Sequence, residues 1–261
     1  MSRISAISST TPYLYGHIAS ANRLPSAADG AAELAITEKQ QAQITGYNTG
    51  TKNLSDGISL LNTSDSALGS VTGYLQRIRE LALQASNTAT MSHSNRTEIQ
   101  KEINQLKQGI EKVATQTNFN GLKLLDGSQN NGIQLIANGD NDSISVNSSV
   151  NSTLKALGIE DFDVTKNFDL QSIDDALSMV ASSRSSLGAQ SNGLDHSINY
   201  NDYASVNLTA SKSRMGDTDI AKALTELKHQ QTLQSISMML QKQKMAQQGQ
   251  KMSGLLMFNP S

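Results

Sequence analysis

The 261-residue sequence predicts a mainly α-helical fold, an elongated antiparallel bundle or coiled coil of long helices carrying a small β-hairpin insertion. Three observations predict it. No proline occurs between Pro25 and Pro260, and because an interior proline costs a helix about 3 kcal/mol, that gap leaves room for very long helices. Apolar residues recur at spacings of three, four and seven through most of the same span. The recurrence stops in the middle, where Asn120-Gly121, Asn131-Gly132 and Asn138-Gly139 are turn dipeptides that tolerate positive φ.

The elements follow in order. From Ala27 to Thr90 the chain is helix-permissive, and Leu54, Ile58, Leu61, Leu68, Leu75 and Ala82 form a seam within it, interrupted by Asp65, Thr72 and Arg79. A helix from Leu54 to Asn87 runs ~50 Å at about 1.5 Å per residue. The polar run Thr88 to Ser94 reads as a turn, with Asn95 and Glu98 at the spacing of an N-cap and its third helical residue. Ile99, Ile103, Leu106, Ile110 and Val113 then repeat 4-3-4-3, the cleanest helix in the chain.

Residues 118 to 165 read as one or two small β-hairpins, built on Gln134-Leu135-Ile136 and Ser143-Ile144-Ser145-Val146. Their apolar content is too thin to stand alone, so they must lean on the helices. Helical pattern resumes at Ser172, with Asp175 three residues on. Ile173, Leu177, Val180, Leu187, Leu194, Ile198, Ser205 and Leu208 keep heptad spacing, interrupted by Arg184 and Ser191. The last stretch carries Ile220, Leu224, Leu227, Leu233, Ile236 and Leu240, then Met245, Met252, Leu255 and Leu256. A lone chain has too little with which to cover these terminal seams, and apolar surface left open in this way marks a protein that assembles.

Composition narrows the chemistry. With no cysteine, the chain has no disulfides, thiolate metal sites or cysteine nucleophile. A net charge of -2 and a pI near 6.1 argue against electrostatic nucleic-acid binding. No apolar run approaches the roughly 18 residues of a membrane span, and the N-terminus lacks the apolar core of a cleaved signal. His17, His93, His196 and His229 stand far apart and read as solvated surface groups. Asp140-Asn141-Asp142 reads as a polar turn rather than a calcium loop. No nucleophile elbow, P-loop or dinucleotide fingerprint is present, so neither enzyme activity nor a metal or cofactor is expected.

Longer motifs point elsewhere. Asp56-Gly57-Ile58-Ser59-Leu60-Leu61, Leu75-Gln76-Arg77-Ile78-Arg79-Glu80-Leu81-Ala82-Leu83-Gln84 and Thr117-Asn118-Phe119-Asn120-Gly121-Leu122-Lys123-Leu124-Leu125-Asp126-Gly127 resemble bacterial flagellin. So do Leu187-Gly188-Ala189, Asn207-Leu208-Thr209-Ala210 and Ser213-Arg214-Met215-Gly216-Asp217-Thr218-Asp219, in family order over nearly the whole chain.

The resemblance implies a structural subunit that assembles into a helical flagellar filament for motility. Residues 1–27 and 216–261 would form a terminal coiled-coil domain lining the filament core. Residues 28–215 would form the helical bundle of the outer tube, with its β-region at about 118–165, in a short, core-only member without variable outer domains. Ile18, Leu24, Leu227, Leu233, Ile236, Leu240, Leu255 and Leu256 are the candidate assembly residues. Implied partners are the chain itself, a flagellin export chaperone that the methionine-rich C-terminus would suit, and the flagellar cap and junction proteins. A host toll-like receptor is implied too; nucleic acid and membrane are not. Export would proceed without a cleaved signal, through the flagellar type III apparatus, to the extracellular flagellum.

The receptor patch implied by the family comprises Gln76, Arg77, Glu80, Leu81 and Gln84. The position matched to a family glutamate on the following helix reads Gly109, which implies recognition in weakened form. Aligned on Ile18 to Leu24, the N-terminal helix is about four turns shorter than in the family. Pro12, Pro25 and the variant run Asp29-Gly30-Ala31-Ala32-Glu33 mark this departure, and Met257-Phe258-Asn259-Pro260-Ser261 extends the other end. A hook–filament junction protein of the same superfamily and an enzymatic flagellin are the alternatives, the second remote.

Overall fold

The computed structural model describes residues 13–87, 91–129, 132–139, 142–146 and 151–256. Helix α1 (residues 13–20) is followed by α2 (Ala27–Ala85) and α3 (His93–Gln116). Two hairpins come next, β1 (Asn118–Phe119) with β2 (Leu122–Lys123), and β3 (Ile133–Ile136) with β4 (Ser143–Val146), both antiparallel. Helices α4 (Gln171–Gly216) and α5 (Ile220–Leu256) complete the order. The mainly helical bundle with a small antiparallel insertion is therefore the fold the periodicity predicts.

The chain divides into two compact units, Gln43–Val206 and Met1–Ala42 with Asn207–Ser261. The crossings fall inside α2 and α4. In the larger unit, Arg184 bonds Asp65, Arg79 bonds Asp174, and Thr51 bonds Asp202, so residue numbers rise on α2 as they fall on α4 and the two helices run antiparallel.

The seam residues Leu54, Leu61, Leu68, Leu75 and Ala82 are fully buried. They share one core with Ile103 and Ile110 of α3 and with Ile173, Val180, Leu187 and Leu194 of α4. Ile58, Ile99, Leu106, Val113, Leu177 and Ile198 pack at its margin. Leu124, Leu125, Val146, Ile159 and Val164 close it from the β-region and the following loop.

Two helix starts differ from the sequence reading. Ser92, not Asn95, caps α3, and its side chain accepts the Asn95 N–H, so Asn95 is already the third helical residue. At α4 the Asp169 carboxylate accepts the Gln171 N–H, which places Ser172 inside the helix. A cap that sequence reading missed opens α2: Asp29 Oδ2 accepts from both the backbone N–H and the hydroxyl of Ser26, a partial capping box legible as a Ser and an Asp three residues apart. The helix kinks at Gly30, which leaves helical geometry.

Both hairpins exist, the described part of β4 runs to Val146, and among the described residues 151–170 form turns and bends with one Asp126–Asn151 bridge. The first hairpin turns through Asn120 (φ 48°) and Gly121 (φ 80°), the paired positive φ of a two-residue hairpin loop. The second lies against α2. A Cβ on Gly46 would stand 2.5 Å from Gly139 Cα, one on Gly50 would overlap the carbonyl oxygen of Ala137, and one on Gly57 would overlap Leu135. From α4, buried Asn201 donates to that same Ala137 carbonyl at 2.7 Å, and Asn53 of α2 donates to Ile136 O at 3.0 Å. Glycine here serves close approach, because a helix face without Cβ atoms lets another backbone lie on it.

In the other unit the chain leaves α1 at Ala21 (φ 52°) and pairs Asn22 with Asp217. Arg23 N–H donates to Gly216 O, Thr218 N–H donates to Ala21 O, and the Arg23 guanidinium donates to Met215 O. Both interhelical loops are stitched together at this joint. Pro25 stands in the loop before α2. Pro12, Asn131, Asp140, Asn141 and the tail from Met257 lie outside the described residues, as do residues 88–90 of the expected turn.

Candidate assembly and recognition surfaces

The motif helix of α2 has two sides. Ile78, Leu81, Ala82 and Ala85 point into the core, while Gln76, Arg77, Glu80 and Gln84 are exposed. The 3.6-residue turn dictates this split: Ile78, Leu81, Ala82 and Ala85 follow 3-1-3 spacing on one face. Leu81 is only 3% exposed, so its side chain is occupied in the core and leaves the surface patch.

Arg77 organises the exposed side. Its Nε and Nη2 donate to Glu102 Oε1 at 3.0 and 2.9 Å, and its Nη1 donates to Glu80 Oε2 at 3.1 Å. Glu102 first, then Glu80, holds the guanidinium proton above the ordinary arginine range. The carboxylate beside Arg77 on the following helix is thus Glu102. Residue 109 lies seven positions further along α3, about two turns up the same face, and a Cβ there would stand 3.0 Å from the Tyr74 ring. Two neighbouring interruptions of the seam also find partners: Arg79 pairs with Asp174, and the Thr72 hydroxyl donates to Leu68 O.

The terminal candidates separate by burial. Leu24 and Leu227 are buried within the chain, as are Ala223 and Thr37 of the same unit, so their packing is intrachain. Ile18 is half-buried. Leu233, Ile236 and Leu240 are 37%, 48% and 53% exposed along α5. Leu255 and Leu256 belong to α5 by backbone, and their side chains lie outside the described residues.

Of the histidines, His93, His196 and His229 are exposed. His17 is not. It is 6% exposed, its Nδ1–H donates to Asn22 O at 3.0 Å, and its ring stands 4.2 Å from that of Tyr13. Burial corrects the solvated reading of that residue. Asp142 forms a turn in which its N–H donates to Asn138 Oδ1. Among the described residues no group of His, Asp or Glu side chains could hold a metal ion, and no helix is long and apolar enough to cross a membrane.

With this geometry in place, comparison with known proteins is direct. Residues 2–130 match the bacterial flagellin N-terminal helical region, and residues 170–251 match the bacterial flagellin C-terminal helical region. A flagellin from Bacillus subtilis is 36% identical over 262 residues, covering 87% of this chain and 86% of that protein. One from Halalkalibacterium halodurans is 40% identical over 218 residues, covering 80% and 78%. Among solved structures, Bacillus cereus flagellin aligns with a TM-score of 0.50 at 30% identity, over 57% of this chain and 88% of that one. A Vibrio parahaemolyticus protein described as flagellar hook-associated aligns with a TM-score of 0.60 at 14% identity, over 72% and 100%, a likeness of fold alone.

Proposed function

The chain belongs to the bacterial flagellin family, and from that premise we propose that it is a structural subunit of the flagellar filament that polymerises with copies of itself. The observation that carries the reading is the face of Leu233, Ile236 and Leu240 on α5, apolar and 37% to 53% exposed in the lone chain. Covering such a face removes apolar surface from water at roughly 25 cal/mol per Å2, and repetition of one heterologous contact generates a helical polymer.

Residues 1–27 and 216–261 supply the inner layer of that polymer, and residues 28–215 the outer tube. Its role is mechanical, not enzymatic. Export proceeds through the flagellar type III apparatus, with α5 as the element an export chaperone takes, and cap and junction proteins bound the filament at its ends. Electron microscopy of the purified, polymerised chain tests the assignment. Long filaments are expected, and Ile236→Asp with Leu240→Asp should abolish them while the monomer stays folded. Discrete capped oligomers would favour a junction role instead.

The surface of Arg77, Glu102, Glu80, Gln76 and Gln84 is the patch through which a host toll-like receptor binds. What supports it is the exposure of these side chains around one guanidinium held by two carboxylates. Gly109 leaves the matched position without a carboxylate, and Glu102, engaged by Arg77 two turns away, does not replace it, so recognition persists in weakened form. Arg77→Ala and Glu102→Ala should each weaken receptor binding about tenfold, typical of a charged contact near the centre of an interface. A titration unchanged by Arg77→Ala would remove this part of the reading.

A further inference from the structure

We propose that Met238, Met245 and Met252 of α5 form an oxidation site at which peroxide converts the thioethers to sulfoxides and blocks polymerisation. The inference rests on the filament reading above. In an α-helix, residues seven apart return to one side about 20° short of two full turns. Gln231, Met238, Met245 and Met252 therefore stand in one line along α5, and Leu227 lies four residues before it, within roughly 40° of that line.

The start of this stripe is covered. Leu227 is buried, and Gln231 Nε2 donates to the Tyr15 hydroxyl of α1 at 2.9 Å. Its continuation is open: Met238, Met245 and Met252 are 49%, 65% and 65% exposed. Leu233, Ile236 and Leu240 occupy the other side of the helix, so the methionines are a second apolar line, continuing the seam that α1 meets at Gln231.

The chemistry balances with peroxide as the oxidant. A sulfur lone pair attacks one peroxide oxygen, an S–O bond forms as the O–O bond breaks, and the departing hydroxide takes the proton of the transferred oxygen and leaves as water. The sulfur loses two electrons and the peroxide gains them. A flexible apolar side chain becomes a polar one, and burying an uncompensated polar group in a packed seam is unfavourable. The soluble subunit is the vulnerable form. Packing of this line against a neighbouring copy in the filament would cover the same sulfurs, and methionine sulfoxide reductases would reverse the change in the soluble subunit.

The full-length soluble chain is treated with hydrogen peroxide, the added oxygens are mapped by peptide mass, and the critical concentration for polymerisation is measured. The three methionines should oxidise at least about tenfold faster in the soluble chain than in filaments, and the critical concentration should rise at least about tenfold. Methionine sulfoxide reductases should restore it. The volume-conserving triple variant M238L/M245L/M252L should be insensitive to peroxide. M239L should remain sensitive, because Met239 is exposed but off the line. An unchanged critical concentration after oxidation, equal oxidation rates in filament and soluble chain, or a triple variant as sensitive as the parent would each overturn the proposal. If the untreated chain formed no filaments, the filament reading would fall and this one with it, whereas the other outcomes leave the filament reading intact. Reductase rescue and filament protection carry the test on the unaltered chain should the triple variant assemble poorly.

Discussion

Arg184 meets Asp65 across α2 and α4, its Nε and Nη2 donating to the two carboxylate oxygens at 2.8 and 3.2 Å. Each residue interrupts the apolar seam of its own helix, and the two interruptions complete each other. The ion pair aligns the register of the antiparallel helices more than it stabilises them, because both side chains remain about two-fifths exposed and solvent screens the attraction. A double-mutant cycle with D65N and R184M, read by chemical denaturation, should give a coupling of no more than about 1 kcal/mol.

The glycines of α2 should respond in opposite directions. Gly50→Ala collides with Ala137 O, and Gly46→Ala crowds Gly139, so each should destabilise the larger unit by about 2 kcal/mol or more despite the better helix propensity of alanine. Gly69→Ala and Gly73→Ala meet nothing within 4 Å and should stabilise by about 0.5–1 kcal/mol. Thermal unfolding monitored by circular dichroism separates the two pairs.

At the first hairpin, Gly121→Ala places a side chain at φ 80° and should cost about 1–2 kcal/mol. The loss should appear first as faster amide exchange between Asn118 and Lys123, the paired ends of β1 and β2.

Acid should weaken the larger unit below the ordinary aspartate value of 3.8. Hydrogen bonds from Ser128 hold the Asp126 carboxyl below that value, those from Thr165 do the same for Asp163, and the Arg79 guanidinium does so for Asp174. A carboxyl depressed in the folded state contributes stability that is fully present above its unfolded value and is lost as pH falls through the folded one. Stability should therefore hold steady above about pH 5 and fall below 3.8, less steeply in D163N. Denaturation midpoints measured between pH 2 and pH 6 check the slope.

Leu81 and Arg77 should separate fold from recognition. Leu81→Ala opens the core and should cost about 2–5 kcal/mol, so any loss of receptor binding follows unfolding. Arg77→Ala should leave the melting temperature nearly unchanged, and its effect should appear in the binding titration alone.

Much of this was legible one helix at a time. The spacing of Leu54, Leu61, Leu68 and Leu75 named a buried face because periodicity is a property of a single helix. Asn120-Gly121 named its turn because positive φ is a local steric demand. Caps were less legible: Ser92, Asn95 and Ser172 are all plausible starts by residue type, and only hydrogen bonding selects Ser92 for α3 and begins α4 at Gln171, beside the Asp169 carboxylate.

The helical class, the seams, the hairpin turns and the flagellin motifs are all written within short windows of chain. Packing of the folded chain set what depends on the register of one element against another. It placed Arg184 beside Asp65, seated the second hairpin on Gly46 and Gly50, turned Leu81 inward, and brought Glu102 to Arg77. Periodicity tells which face a residue occupies, but a helix repeats that face every two turns. Selecting the residue at the right height takes the packing partner itself.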